Sequence, residues 1–329
     1  MKHNIIKVIC GMGLVCGLWS CENGSQSFPD YEEGTTVYFP YQYPVRVIEF
    51  GDNEEYDLTL DNAHKCQIKA TFGGSYNGSN GSVTVAVDPS LCDNLYFDEG
   101  ETPVKAMPES YYLLSTTTMN FNGTMNGTIE VQLTDAFFND PDAVKNTYVI
   151  PLVMTGQTGF GKILTGTLNE GQSGSRTDAS VWDVLPMDYI LYCVRYQNQY
   201  SGWWRTHHTT SIENIESASE FEIKTLSPNT CSYAVTYQDG DKLYNAELKL
   251  TFNGNDCTIT SLTDGVTATG SGKWGDNTEV KAWGNKDRDG LELEYTVTFD
   301  DGKKFSTHEK MVWERSGVKI EEFTPVYIK

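Results

Sequence analysis

Leu291-Glu292-Leu293-Glu294-Tyr295-Thr296-Val297-Thr298-Phe299 alternates apolar and polar side chains without a break. Successive side chains on a strand point to opposite faces, so this stretch makes an extended strand with one dry and one wet face. Tyr244, Ala246, Leu248, Leu250 and Phe252 repeat the pattern against Asn245, Glu247, Lys249 and Thr251. Between such runs stand Gln238-Asp239-Gly240-Asp241, Asn253-Gly254-Asn255 and Asp300-Asp301-Gly302, each suited to a tight hairpin. Counting onward from Tyr189 gives about eight to ten strands in hairpin order, which suits an up-and-down meander that removes its exposed edges by closing into a barrel, with a sandwich as the alternative.

The first half is also β, in shorter pieces. Thr35 to Phe39, Gln67 to Phe72, Ser82 to Val87, Thr128 to Leu133 and Tyr148 to Met154 are rich in β-branched and aromatic residues. Asn77-Gly78, Asn80-Gly81, Asn122-Gly123 and Asn126-Gly127 read as turns, and a short helical turn capped by Asp135 is expected within Thr134 to Val144. Residues 21–33 are polar and aperiodic, a tether. The Gly- and Ser-rich residues 166–180 read as a linker with the boundary near Asp178, leaving a sandwich over 34–165 and a barrel over 181–329.

Lys2 and Lys7 precede an apolar run from Val8 to Trp19, and Leu18-Trp19-Ser20-Cys21 closes it. This is the layout of a secretion signal over residues 1–20, and the run is shorter than the about 20 residues that cross a hydrocarbon core of ~30 Å. The chain carries a net charge of −21. Loss of Lys2 and Lys7 would make it −23 (−21 minus 2). That field repels phosphates, so nucleic acid is excluded as an expected partner, while neutral ligands carry no penalty. Of eight cysteines, Cys10 and Cys16 lie in the signal and Cys21 at its end. Cys66, Cys92, Cys193, Cys231 and Cys257 remain, a poor disulfide framework. Cys66 and Cys92 are either bridged or small buried apolar residues.

Leu18-Trp19-Ser20-Cys21 resembles the bacterial lipoprotein signal, in which that cysteine is acylated and becomes the N-terminus. The resemblance implies a membrane anchor at Cys21. Ala70-Thr71-Phe72-Gly73-Gly74, Gly81 to Asp88, Met107 to Leu114 and Tyr148-Val149-Ile150-Pro151-Leu152 resemble, in this order, an N-terminal domain of Bacteroidales surface lipoproteins. What that resemblance implies is an immunoglobulin-like sandwich, set beside outer-membrane glycan importers and sometimes fused to glycoside hydrolases. Trp182 to Pro186, Trp283 to Leu291 and Arg315 to Phe323 resemble its C-terminal companion, a calycin-like (lipocalin-like) barrel without assigned activity. A lipid-anchored outer-membrane protein at the cell surface is the implied setting, the periplasmic face being the alternative.

No motif carries chemistry. Asn285-x-Asp287-x-Asp289-Gly290 has the start of a calcium loop, but the acid expected six residues after the glycine is Thr296 and a strand begins at once, so it reads as a hairpin turn. His207 and His208 point to opposite strand faces, and Glu292 and Glu294 share a wet face like any solubilising pair. No nucleophile elbow, zinc helix or phosphate loop occurs, so neither enzyme activity nor a cofactor is indicated. The positive lead is Tyr196-Gln197-Asn198-Gln199-Tyr200-Ser201-Gly202-Trp203-Trp204-Arg205. Consecutive tryptophans cannot both enter one core from a regular strand, and an exposed ring beside amides and a guanidinium suits a neutral oligosaccharide. Tyr196, Tyr200, Trp203, Trp204 and Arg205 are the candidate glycan contacts, with Trp274 and Trp283 secondary and Trp182 and Trp313 assigned to the core. The competing readings are packing of these rings, an interface with a protein such as a glycan importer, and a glycoside hydrolase.

Overall fold

The computed structural model describes residues 30–32, 34–53, 56–98, 102–210 and 215–329. The signal segment, Cys21 and most of the tether lie outside them. The fold is all-β, a curled sheet followed by a closed barrel.

Seven strands make the body of the sheet, in the spatial order Lys65–Gly73, Asn126–Leu133, Thr118–Asn120, Ser82–Val87, Tyr148–Thr158, Tyr189–Gln197 and Pro44–Glu49. Val37 near one edge, Val85 in the middle and Ile48 near the other edge belong to one buried cluster, so the sheet folds over a single core as a sandwich does. The expected helical turn is present as Asp135–Phe138, followed by Pro141–Val144. Its cap differs: Thr134 takes the N-cap position without a side-chain bond, and Asp140 caps the second turn through Asp142 N (2.8 Å). Asn122 and Gly123 make the predicted turn with φ of 49° and 81°. Asn126-Gly127 does not turn; it opens a strand, and Gly127 is needed because a Cβ there would stand 2.6 Å from the Phe121 ring.

The barrel boundary differs from the expected one. Tyr189–Gln197 pairs antiparallel with Tyr148–Thr158 and parallel with Pro44–Glu49, inside the first sheet. Its residues Tyr189 to Val194 are all buried, because Val45, Leu91, Leu95 and Phe323 cover its outer face while the sandwich core takes the inner one. A strand with no wet face belongs to a covered sheet, and this one carries none of the alternation seen at Leu291 to Phe299. The stretch 166–180 does not join the domains either. Thr167–Leu168 pairs with Trp182–Val184, and the loop between is ordered by Arg176 Nε on Asp188 Oδ1 (3.1 Å) and Trp182 Nε1 donating to Ser175 O (3.0 Å).

Eight antiparallel strands from Gly202–Thr210 to Lys304–Arg315 close the barrel, the last pairing with the first from Trp204↔Trp313 to Thr210↔Thr307. Two-residue turns at Gly240-Asp241 and Gly254-Asn255 sit where the sequence puts them, and Leu291, Leu293, Tyr295 and Val297 all point inward. Tyr237, Tyr244, Phe299 and Phe305 plug the far end, with Tyr237 and Phe305 stacked at 4.4 Å. After Arg315 the chain returns to the sandwich, where Glu321–Glu322 pairs with Pro44–Glu49 and Val326–Tyr327 with Leu95–Tyr96. Cys66, Cys92, Cys193, Cys231 and Cys257 are free thiols, so the Cys66–Cys92 bridge does not form.

Candidate functional site in the interdomain cleft

The five predicted glycan contacts do not form one platform. Tyr196 is 1% exposed and lies in the sandwich core against Phe137 and Phe138, its hydroxyl donating to Phe138 O (2.8 Å). Tyr200 closes the near end of the barrel, stacked on Phe252 at 3.9 Å, and donates to Gly254 O (3.2 Å). Trp204 is fully buried inside the barrel. Trp203 does point outward, as alternation requires, but the Arg315 guanidinium covers its ring at 4.9 Å and Gly317 lies so close that a Cβ there would stand 3.0 Å from its pyrrole edge. Arg205 is held by Glu314 (Nε to Oε2, 2.8 Å) and stacks on Trp283 at 3.7 Å. The aromatic residues of 196–204 anchor the two cores where the chain passes between them, and packing accounts for them.

A cleft opens beside that passage. Its barrel wall is the long hairpin formed by the end of Thr267–Trp283 and the start of Lys286–Thr298, which runs past the barrel rim. The hairpin turns at Gly284 and Asn285, both with positive φ (65° and 57°), which is the twist a two-residue turn needs. The acids of the calcium-like pattern serve the hairpin itself, as its reading as a turn expects: Asp287 Oδ1 accepts from Lys281 N (2.9 Å) and Asp289 Oδ1 from Asn277 N (3.0 Å). Among the described residues no group of carboxylates, histidines or cysteines is placed to hold a metal. The sandwich wall is the loop carrying Asp52, Asn53 and Tyr56, and the returning segment from Ser316 to Lys319 forms the floor.

The outer cleft has a volume of about 290 Å³ and opens to solvent past Tyr56, which is 60% exposed. Trp313 lines it, with its Nε1 donating to Ser201 O (3.2 Å) and Arg288 over its ring at 5.8 Å. Sequence reasoning placed Trp313 in the core; it is half-buried, with part of its ring in the cleft. An inner pocket of about 110 Å³ continues from it, lined by Glu49, Asp52, Asp276 and Asp289 together with Trp274 and the amides of Gln197 and Gln199. Burial, then the neighbouring Asp276 and Asp52 charges, pushes the Asp289 carboxyl up to about 6 against the opposing Asn277 bond. Burial raises Glu49 as well, opposed by a bond from Asn53. Aromatic rings, amides, carboxylates and a guanidinium thus converge on one concavity, the mixture that reads hydroxyl-rich ligands.

A crystal structure of a Bacteroides ovatus protein of unknown function, at 2.40 Å resolution, shares 33% identity with this chain, covering 91% of it and 100% of that protein with a TM-score of 0.83. The chain belongs to that protein's family. Residues 192–317 match the domain of unknown function DUF5627, and residues 31–161 match a model for an N-terminal domain. The DUF5627 span contains the whole barrel and the hairpin wall of the cleft; the N-terminal span carries the opposite wall. A redesigned β-barrel aligns with 35% of the chain and 90% of its own length at 14% identity and a TM-score of 0.22, a likeness that carries no argument. No curated protein matches the chain.

Asp52, Asn53 and Tyr56 were not legible as a site from sequence, since a polar loop beside a strand end looks like any other. Trp283 to Asp289 was legible as a turn, and only the structure shows where the turn points.

Proposed function

We propose that the protein is a lipid-anchored, non-catalytic envelope protein that holds an oligosaccharide in the cleft between sandwich and barrel. The observation that carries this reading is the convergence of Trp313, Tyr56, Asn53, Arg288 and the inner carboxyls on a cavity of about 290 Å³, near the lower end of the roughly 300–1,000 Å³ typical of small-ligand sites. A sugar's CH face packs on an aromatic ring while amides and carboxylates bond its hydroxyls. A neutral glycan is not repelled by the net charge of −21. The lipoprotein signal supplies the anchor at Cys21 and the outer-membrane setting, and the two domains read as an immunoglobulin-type sandwich and a calycin-type barrel. Isothermal calorimetry of the chain from Glu22 against a glycan panel tests this. Binding that weakens at least about tenfold, roughly 1.4 kcal/mol, in Tyr56→Ala and in Arg288→Ala supports it. Retention of full affinity in both variants, or no glycan bound at all, rejects it.

A second reading, an assembly protein for a glycan importer, is favoured by apolar side chains left in solvent beside the cleft. Ile320 is fully exposed and Val280 is 72% exposed. Ile320→Asp with Val280→Asp abolishes capture of such a partner if this reading holds, and leaves glycan affinity intact.

A further inference from the structure

Two chain passages join the domains: residues 198–201 lead into the barrel and 316–320 lead out. They run side by side. Gln197 Nε2 donates to Ser316 O (3.0 Å), and a Cβ on Gly202, at φ +120°, would stand 2.7 Å from Arg315 O and 3.2 Å from Ser316 Cα. Adjacent passages of this kind define one axis about which the width of the cleft can change.

The inner pocket beside that axis is charged in one sense. Glu49 and Asp52 come from the sandwich, Asp276 and Asp289 from the barrel hairpin, and among the described residues no lysine or arginine lines it. Asp276 and Asp289 share a hydrogen bond, and the Asp52 charge acts on Asp289 from the opposite wall. Behind Glu49, Asp61 is paired with Arg46, whose charge reaches Glu49. The outer cleft has Lys286, Arg288, Arg315 and Lys319 with Asp287 and Glu314, but Arg315 is bound to Glu220 (2.5 Å) and Glu314 (2.6 Å). The charges that act most strongly on Asp289 are those of Asp276 and Asp52.

We propose that repulsion across the cleft between Asp289 on the barrel hairpin and Asp52 on the sandwich loop sets the opening between the domains, so that the cleft widens as Asp289 ionises and narrows as it is protonated. This goes beyond the glycan reading and does not depend on it. The sign follows from Asp289: with its carboxyl pushed up to about 6, it carries its proton at pH 5 and has lost it at pH 8. Asp52 then faces a neutral carboxyl across the cleft at pH 5 and a charge at pH 8.

Spin labels at Tyr56→Cys and Val280→Cys report the cleft width by pulsed dipolar spectroscopy, in the chain from Glu22 with the half-buried Cys92 replaced by serine. No glycan is present, so failure of this test and failure of the glycan reading are distinguishable. The expected result is a shorter mean distance at pH 5 than at pH 8, changing around pH 6, and a short distance at both values in Asp289→Asn. Asp52→Asn, on the other wall and exposed, gives the same direction with no threat to folding. A distance that ignores pH in the parent chain overturns the proposal, as does an Asp289→Asn chain that still opens at pH 8.

Discussion

Glu309→Gln should stabilise the barrel at alkaline pH and do little in acid. Glu309 is 2% exposed inside the barrel, where Tyr233 and Tyr295 donate their hydroxyls to its two oxygens (2.9 and 2.5 Å). Burial, opposed by those two bonds, pushes its carboxyl from 4.5 up to about 7. A folded-state value above the unfolded one means that the native chain holds the proton more tightly. The contribution is fully present below pH 4.5 and is lost as pH rises through 7. A displacement of about 2.5 units, at ~1.4 kcal/mol each, makes the wild type roughly 3 kcal/mol less stable at pH 8 than with the acid neutral. Glutamine keeps an acceptor and a donor for the two tyrosines and has no proton to lose. Urea unfolding of both chains at pH 5, 6, 7 and 8 isolates the effect, because every other titrating group cancels in the difference. The advantage of Glu309→Gln should grow by about 2–3 kcal/mol from pH 5 to pH 8. A difference that stays flat across that range refutes the reasoning. Glu309→Leu is the control: it takes the acceptor from the buried Tyr233 hydroxyl, while Tyr295 keeps Tyr237 as a partner, and should cost about 1–3 kcal/mol at any pH.

Trp204→Ala empties a fully buried position in the barrel and should cost about 3–5 kcal/mol in urea unfolding while leaving any ligand affinity of the folded fraction unchanged; an equal loss of affinity in folded protein would return this ring to the binding site. Gly317→Val forces a side chain against Trp203, at 3.0 Å from its ring, with φ at +76°, so a loss of roughly 1–3 kcal/mol is expected from strain, read as a lowered melting temperature. Cys21→Ala should move the protein from the membrane to the soluble fraction after cell breakage, and undiminished membrane association would remove the anchor.

The barrel was legible because each of its strands has water on one side. Alternation at Leu291 to Phe299 and at Tyr244 to Phe252 survives translation into structure, since the closed sheet imposes it residue by residue. Tyr189 to Val194 shows the opposite case. Its unbroken apolar run signals a strand covered on both faces, and reading it as the first barrel strand weighed order along the chain above pattern. The Gly- and Ser-rich stretch from 166 to 180 misleads for a related reason: composition marks a loop, but only long-range bonds such as Arg176 to Asp188 say whether it crosses between bodies. The Trp203-Trp204 argument predicted the alternation correctly, one ring in and one out, and failed on the outward ring because Arg315 and Gly317 reach it from the far end of the domain. The cleft was illegible for the same reason. Its walls are 220 residues or more apart in sequence, and no local pattern encodes their meeting.

The barrel is therefore an insertion rather than an appendage. The sandwich sheet takes Tyr189–Gln197 before it and Glu321–Glu322 after it, both paired to Pro44–Glu49. The two ends of the insertion touch, with Gln197 Nε2 on Ser316 O at 3.0 Å. Excising residues 200–315 and joining the ends through a few glycines and serines closes a short loop, whose entropy cost grows only slowly with length. The remaining sandwich keeps its core and the apolar cover of its outer face and should unfold cooperatively in urea. The strands within 202–315 close the barrel on one another and Tyr200 caps its core, so residues 200–315 should also fold alone. Excision does remove the barrel groups that Asn198 bonds, Thr225, Ser227 and Thr230, so the sandwich is expected to be less stable than in the whole chain, though still folded. Should neither piece fold, the interface between the domains holds up both cores, and a hinge beside the cleft would be mechanically impossible.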